Sequence, residues 1–161
     1  MGAMRTTYSL LCSELASNGF FVAAIEHKDG SASGNIYITV YTIYLSMYKK
    51  SFVYVATINI DGTWTYERKI DSHENEYEVR NAQVTQRVTE CEKTYDLLNR
   101  LALAASRGEE DLGDLHEPPG KEFLDSLKYL DMDDKCYISG HSFGGATGNF
   151  LYLFNIYLFK C

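Results

Sequence analysis

No aspartate, glutamate or histidine occurs in residues 143–161, the stretch that follows Ser142. A serine nucleophile that draws its acid and base from later in the chain does not find them within these 161 residues. The chain also lacks a membrane-spanning run. A span needs about 20 mostly apolar residues, whereas residues 36–48 are fewer and carry Thr, Ser and several Tyr. No secretory leader is visible, because Arg5, Thr6 and Thr7 interrupt any apolar core at the start. Basic residues are in the minority, 15 against 22 acidic, for a net charge of −7. That balance argues against nucleic acid as a partner. The four cysteines, Cys12, Cys91, Cys136 and Cys161, have no metal-ligand spacing. Cys12 and Cys91 fall on helical core faces and Cys136 in a strand, so small buried thiols are expected rather than disulfides.

What is present is concentrated in Ser139-Gly140-His141-Ser142-Phe143-Gly144-Gly145. Gly-x-Ser-x-Gly after a short apolar strand, here Cys136-Tyr137-Ile138, is the pattern of a nucleophile elbow. A sharp strand-to-helix turn lifts the serine hydroxyl clear of the sheet. Gly140 and Gly144 are expected where side chains would clash as strand and helix cross. The backbone N–H of Phe143 would then face a developing oxyanion. An ordinary glycine-rich turn is the plainer alternative. The strand before and the small residues Gly145 and Ala146 after favour the elbow.

The rest of the chain reads as α/β. Residues 5–17 predict an amphipathic helix with Tyr8, Leu11, Cys12 and Leu15 on one face, ended by Asn18-Gly19. Residues 20–25 predict a buried parallel strand. Its carboxyl end, Glu26-His27-Lys28-Asp29-Gly30, lies where open α/β sheets place their sites. Residues 77–105 predict a long helix whose apolar stripe is Val84, Val88, Cys91, Tyr95 and Leu98. The acidic stretch 107–121 reads as a surface loop. Phe123, Leu124, Leu127 and Leu130 mark a short helix. Strands 20–26 and 135–139 are expected to be neighbouring or near-neighbouring parallel strands, with helix 5–17 packed on the sheet. His27 is a candidate base, weighed against a structural histidine at a strand end. His141 flanks the serine, and His73 and His116 sit in polar loops.

Three blocks carry a family resemblance. They are Gly2-Ala3-Met4-Arg5-Thr6-Thr7-Tyr8-Ser9, Glu26-His27-Lys28-Asp29-Gly30-Ser31-Ala32-Ser33, and Gly140-His141-Ser142-Phe143-Gly144-Gly145-Ala146-Thr147. Arg80-Asn81-Ala82-Gln83-Val84 with Arg87 and Glu90-Cys91 is a fourth, and Trp64 a weaker fifth. Together they resemble the platelet-activating factor acetylhydrolase family, serine lipases of the α/β-hydrolase fold with secreted and intracellular members. Met1-Gly2 with Thr6 also fits an N-myristoylation pattern, but the family block accounts for those residues.

The resemblance implies hydrolysis of a short or oxidised sn-2 acyl ester of phospholipids, without metal or other cofactor. Ser142 matches the nucleophile. Phe143 and Met1 match the two oxyanion-hole donors, and Gly140 and Gly144 the elbow glycines. The implied fold is one incomplete α/β-hydrolase domain over residues 1–161. Its sheet would be mostly parallel, flanked by helices and short of its N-terminal and C-terminal strands. Residues 36–60 and 149–161 are expected to lie outside the family core. Within them, residues 36–48 are uncharged and rich in Tyr, Ile and Thr, residues 150–159 are similar with Tyr, Leu, Phe, Asn and Ile, and both read as non-family sequence such as translated intron. With no triad Asp or His after Ser142 and Met1 at the terminus, the chain is expected to be an inactive fragment. A hole with one placed donor loses about 3 kcal/mol of transition-state stabilisation. The partners implied are a phospholipid substrate and a peripheral lipid surface. The default compartment is the cytoplasm. Two other readings are a different α/β-hydrolase carboxylesterase or lipase, and a non-catalytic truncated product or splice form.

Overall fold

The computed structural model describes residues 8–25, 27–31, 34–38, 43–47, 50–52, 60–66, 69–109 and 121–154. The first helix, α1 (Ser9–Ser17), stops where the Asn18 side chain donates back to the Glu14 carbonyl at 2.9 Å. Gly19 turns the chain at φ 91, a conformation that costs glycine little. Strand β1 (Val22–Ile25) follows. Four further strands are β2 (Gly34–Ile38), β3 (Ile43–Met47), β4 (Lys50–Phe52) and β5 (Ile60–Tyr66).

The long helix α2 (Glu76–Arg107) is the spine of the molecule. Its sequence contains neither Gly nor Pro, the two residues that most weaken a helix interior. Asn75 caps its start by accepting from the Tyr77 N–H at 3.1 Å. Glu76 and Glu78 sit in the first turn and Arg107 in the last, each sign matched to the helix dipole. Gly108, at φ 70, closes the far end, and its N–H and that of Glu109 return to Ala105 and Ala104. Helices α3 (Lys121–Leu127) and α4 (Phe143–Phe154) follow among the described residues.

Two apolar clusters lie along α2. In one, Leu98, Leu101 and Ala105 meet Leu127 of α3, with Phe21 and Ala23 packed against them. In the other, Val84, Val88 and Cys91 meet Leu151 of α4, with Ile25, Ile138, Phe143 and Phe150 against them. The five stripe residues expected on α2 are all buried. Leu151, in the stretch set outside the family core, is fully buried.

Two expectations need correction. The sheet is not parallel among the described residues. β1 pairs antiparallel with β3, β3 with β4, and β2 with β5. Residues 135–139 form no strand. A strand is defined by its ladder, and β1, the neighbour expected for 135–139, takes its partner from residues 43–47 instead. Antiparallel pairing is slightly more stable per residue and needs no crossover. The segment 136–140 still reaches the core through Ile138, which joins the cluster that Ile25 of β1 also touches.

The second correction concerns α1. Its buried residues are Cys12 and Ala16, whereas Leu11 and Leu15 are exposed, as is Leu10 beside them. The helix leans on the sheet by its small side chains, and the larger apolar ones stay on the open side. Three cysteines, Cys12, Cys91 and Cys136, are free thiols among the described residues. Burial is the main cause pushing Cys91 up to about 12, with the neighbouring Glu90 carboxylate adding to it. A thiol so protonated is inert. No helix among the described residues is long and apolar enough to cross a membrane.

Candidate functional site

The site forms where the chain leaves residues 136–140 and enters α4. Ser142 has φ 57 and is the one non-glycine at positive φ among the described residues. Such a conformation costs about 1–3 kcal/mol and persists only where the surroundings impose it. Here the constraint is a tight set of backbone bonds. The Gly144 N–H donates to the His141 carbonyl at 3.0 Å, and those of Gly145 and Ala146 donate to the Ser142 carbonyl at 2.9 and 3.3 Å. Phe143 is the first residue of α4, so its N–H is among the donors without an intrahelical partner. The dipole of the helix also favours negative charge at this end. Ser142 itself is exposed.

The two glycines differ. A Cβ on Gly140 would collide with the Gly144 carbonyl group and fall 2.8 Å from the Gly145 nitrogen. Backbone cannot give way as a flexible side chain can, so glycine is required at 140. At Gly144 a Cβ would meet nothing within 4 Å, and the steric reason expected for that glycine does not hold. Gly140→Ala is therefore expected to cost about 1–3 kcal/mol through overpacking. Gly144→Ala should be neutral, or stabilising by up to about 1 kcal/mol from helix propensity. Thermal unfolding midpoints of the two variants separate these outcomes. A midpoint for Gly140→Ala equal to the parent's would contradict the close approach.

Around the serine, α1 and α2 supply the frame. The Tyr8 hydroxyl lies 2.7 Å from His141 Nδ1, with the two rings edge to face at 5.8 Å. His141 is thus held against the start of α1. His27 is elsewhere engaged, its Nδ1–H donating to Glu90 Oε2 at 2.6 Å. The second Glu90 oxygen accepts from the Lys28 N–H at 3.2 Å and the Gln86 side chain at 3.0 Å. Burial is the main influence lowering the Lys28 ammonium, with Glu90 opposing it.

Beside this pair, Arg87 Nε donates to Asp29 Oδ2 at 2.5 Å, and its Nη2 donates to Ser31 Oγ. Asp29 Oδ1 accepts from the Ser31 N–H at 3.1 Å and from Ser31 Oγ at 2.7 Å. Gln83 donates to the Asp29 carbonyl at 3.0 Å. The Arg87 guanidinium sits 4.6 Å from the centroid of the Phe143 ring, and that of Arg80 sits 5.8 Å from it.

Of the residues expected at the site, Ser142, Phe143, Gly140 and Gly144 meet in this one turn. Met1 lies outside the described residues, as do Glu26 and His116. Among the described residues no group of three or more His, Cys, Asp or Glu could hold a metal ion. The polar frame on α2 was missed as a unit. Its signal was available: Gln83, Arg87, Glu90 and Thr94 recur at spacings of 4, 3 and 4, a polar stripe beside the apolar one, and all four are buried.

A serine strained to positive φ, a glycine crossed closely by backbone and a helix N-terminus directly behind are features shared with a nucleophile elbow, although no strand precedes the turn here. Comparison with known proteins narrows that class. The family model for platelet-activating factor acetylhydrolase, isoform II, matches residues 1–161, and the chain belongs to that family. Relatives named platelet-activating factor acetylhydrolase are 38% identical over 148 residues in Bos taurus and 37% identical over 151 residues in Gallus gallus. Each alignment covers 91% of this chain but only 29% and 32% of the relative. The chain thus spans about a third or less of the length of the curated relatives it matches. No solved structure matches it.

Proposed function

We propose that these residues are the nucleophile-bearing part of a serine esterase of the platelet-activating factor acetylhydrolase type, built on a partial α/β-hydrolase fold. Its substrate is the sn-2 acyl ester of a phospholipid. The observation that carries the reading is Ser142 at φ 57 immediately before the first residue of α4.

In this reading the Ser142 hydroxyl attacks the ester carbonyl while a histidine takes its proton, and a carboxylate orients that histidine. The Phe143 N–H stabilises the oxyanion, and Met1 stands at the position that matches the second donor. Collapse of the tetrahedral intermediate expels the lysophospholipid alcohol, and water then releases the acyl group from the serine. Gly140 and Gly144 are the elbow glycines, and no cofactor takes part. The acid and base of the triad come from the part of the longer relatives that these residues do not span. His141 is held by Tyr8 and His27 precedes the serine, whereas the base follows it in this chain order, so neither is assigned the role.

The 161 residues expressed by themselves are therefore expected to hydrolyse a short-acyl sn-2 phospholipid no faster than their Ser142→Ala variant. His27 carries its carboxylate on Nδ1, as a triad histidine does, so His27→Ala belongs in the same assay. Serine-dependent turnover that disappears in His27→Ala would replace the proposed arrangement with a Ser142–His27–Glu90 one.

A further inference from the structure

We propose that Arg87 is a positioning residue for the elbow, carrying the Phe143 ring on its guanidinium face and so fixing the peptide N–H that follows Ser142. The role rests on the esterase reading of Ser142, but the contacts that define it do not. Arg87 is anchored at two donors, on the Asp29 carboxylate and the Ser31 hydroxyl. Those acceptors are themselves fixed, since Asp29 also binds the Ser31 N–H and its backbone carbonyl is held by Gln83. With its edge so occupied, the planar guanidinium leaves a face free to lie over an aromatic ring, and the ring 4.6 Å away is Phe143.

The Asp29 side chain is fully buried and that of Arg87 is 10% exposed. Well-packed apolar residues are often as stable as a buried ion pair, so such a pair is weak evidence for stability alone. Its geometric product here is a fixed platform beneath the residue that follows the nucleophile. Arg80 is the poorer candidate. It lies farther from the ring, its side chain is 38% exposed, and it is shared with Glu76 at 3.6 Å. Phe143 also joins this frame both to the apolar cluster of α2 and α4 and to the strained turn.

The proposal separates local from global effects. If Arg87 holds the elbow, weakening it should open the three backbone bonds made by the Gly144, Gly145 and Ala146 N–H groups and leave distant parts of α2 untouched. Amide hydrogen exchange on the 161-residue chain measures this. In Arg87→Lys, which keeps the charge but loses the fork and the flat face, exchange at those three amides is expected to rise about tenfold or more. Exchange at Leu101–Ala105, far along α2, should stay at the parent value. Phe143→Leu, which keeps the Asp29–Arg87 pair and removes the ring, should speed the same three amides.

Unchanged elbow exchange in a folded Arg87→Lys would overturn the proposal. So would a rise matched at residues 101–105, because Arg87 would then be only a stabilising pair. Should Arg87→Lys not fold, Phe143→Leu decides alone, and unaltered elbow exchange in it overturns the role. None of these readouts depends on turnover, so failure of the esterase reading shows separately, as turnover indifferent to Ser142.

Discussion

Arg87→Ala is expected to lower the stability of the chain by about 3–5 kcal/mol, and Asp29→Ala by a similar amount. Removing either partner strands the other charge where water does not reach it, since the Asp29 side chain is 0% exposed and that of Arg87 10%. For a chain of this size each kcal/mol moves the unfolding midpoint by about 2–4 °C, so the loss should rival that of a large core truncation. The double variant Asp29→Leu with Arg87→Met should recover much of it, because no unpaired charge remains. Additive losses in the double variant would show that the two residues act independently. The exposed pair Lys128–Asp125, at 2.6 Å with both side chains more than 40% accessible, is the contrast. Solvent screens it, and Asp125→Ala should leave the midpoint where it was.

Much of the helical framework was legible in the sequence because periodicity reports burial directly. The stripe Val84, Val88, Cys91, Tyr95 and Leu98 lies inside, and the long helix runs 76–107 where 77–105 was expected. The start of α1 was less legible. Tyr8 and Leu11 match the helical spacing, yet the sheet approaches the face that carries Cys12 and Ala16. Periodicity marks an apolar stripe but not which small residue a neighbour will choose to touch.

Strand pairing was hidden for a different reason. Cys136-Tyr137-Ile138 has the composition of a buried strand, but a strand exists only with a ladder partner. The residues that pair with β1 belong to the stretch 36–60, which no block of the resemblance covers. Composition marked that stretch as unusual. It carried no information on which edge it would occupy.

The turn at Ser142 was legible only in part: Gly-x-Ser-x-Gly encodes a backbone requirement that Gly140 meets, whereas the strand expected before the turn is not formed. Its strain at Ser142 and the close approach at Gly140 are local consequences of that requirement. The absence of crowding at Gly144 was not deducible, because it depends on how the helix departs from the turn. The polar frame lay in plain view as matched residues, Asp29, Ser31, Gln83, Arg87 and Glu90. Blocks separated by some 50 positions give no sign in sequence that they bond to one another.

The central claim is that Ser142 is the nucleophile of a phospholipid esterase. The most direct test completes residues 1–161 with the remaining N-terminal and C-terminal portions of a curated relative and measures hydrolysis of a phospholipid bearing a short sn-2 acyl chain. The completed chain supplies the acid and base that residues 143–161 lack, and the elbow is already in place. Ser142→Ala in that protein is expected to reduce kcat by at least about ten-thousandfold, because the covalent step has no other nucleophile at the turn. The variant should keep its substrate binding, since the hydroxyl is exposed and its removal leaves the packing of α4 intact. Turnover that survives Ser142→Ala undiminished, or a folded completed chain with no turnover at all, would contradict the account.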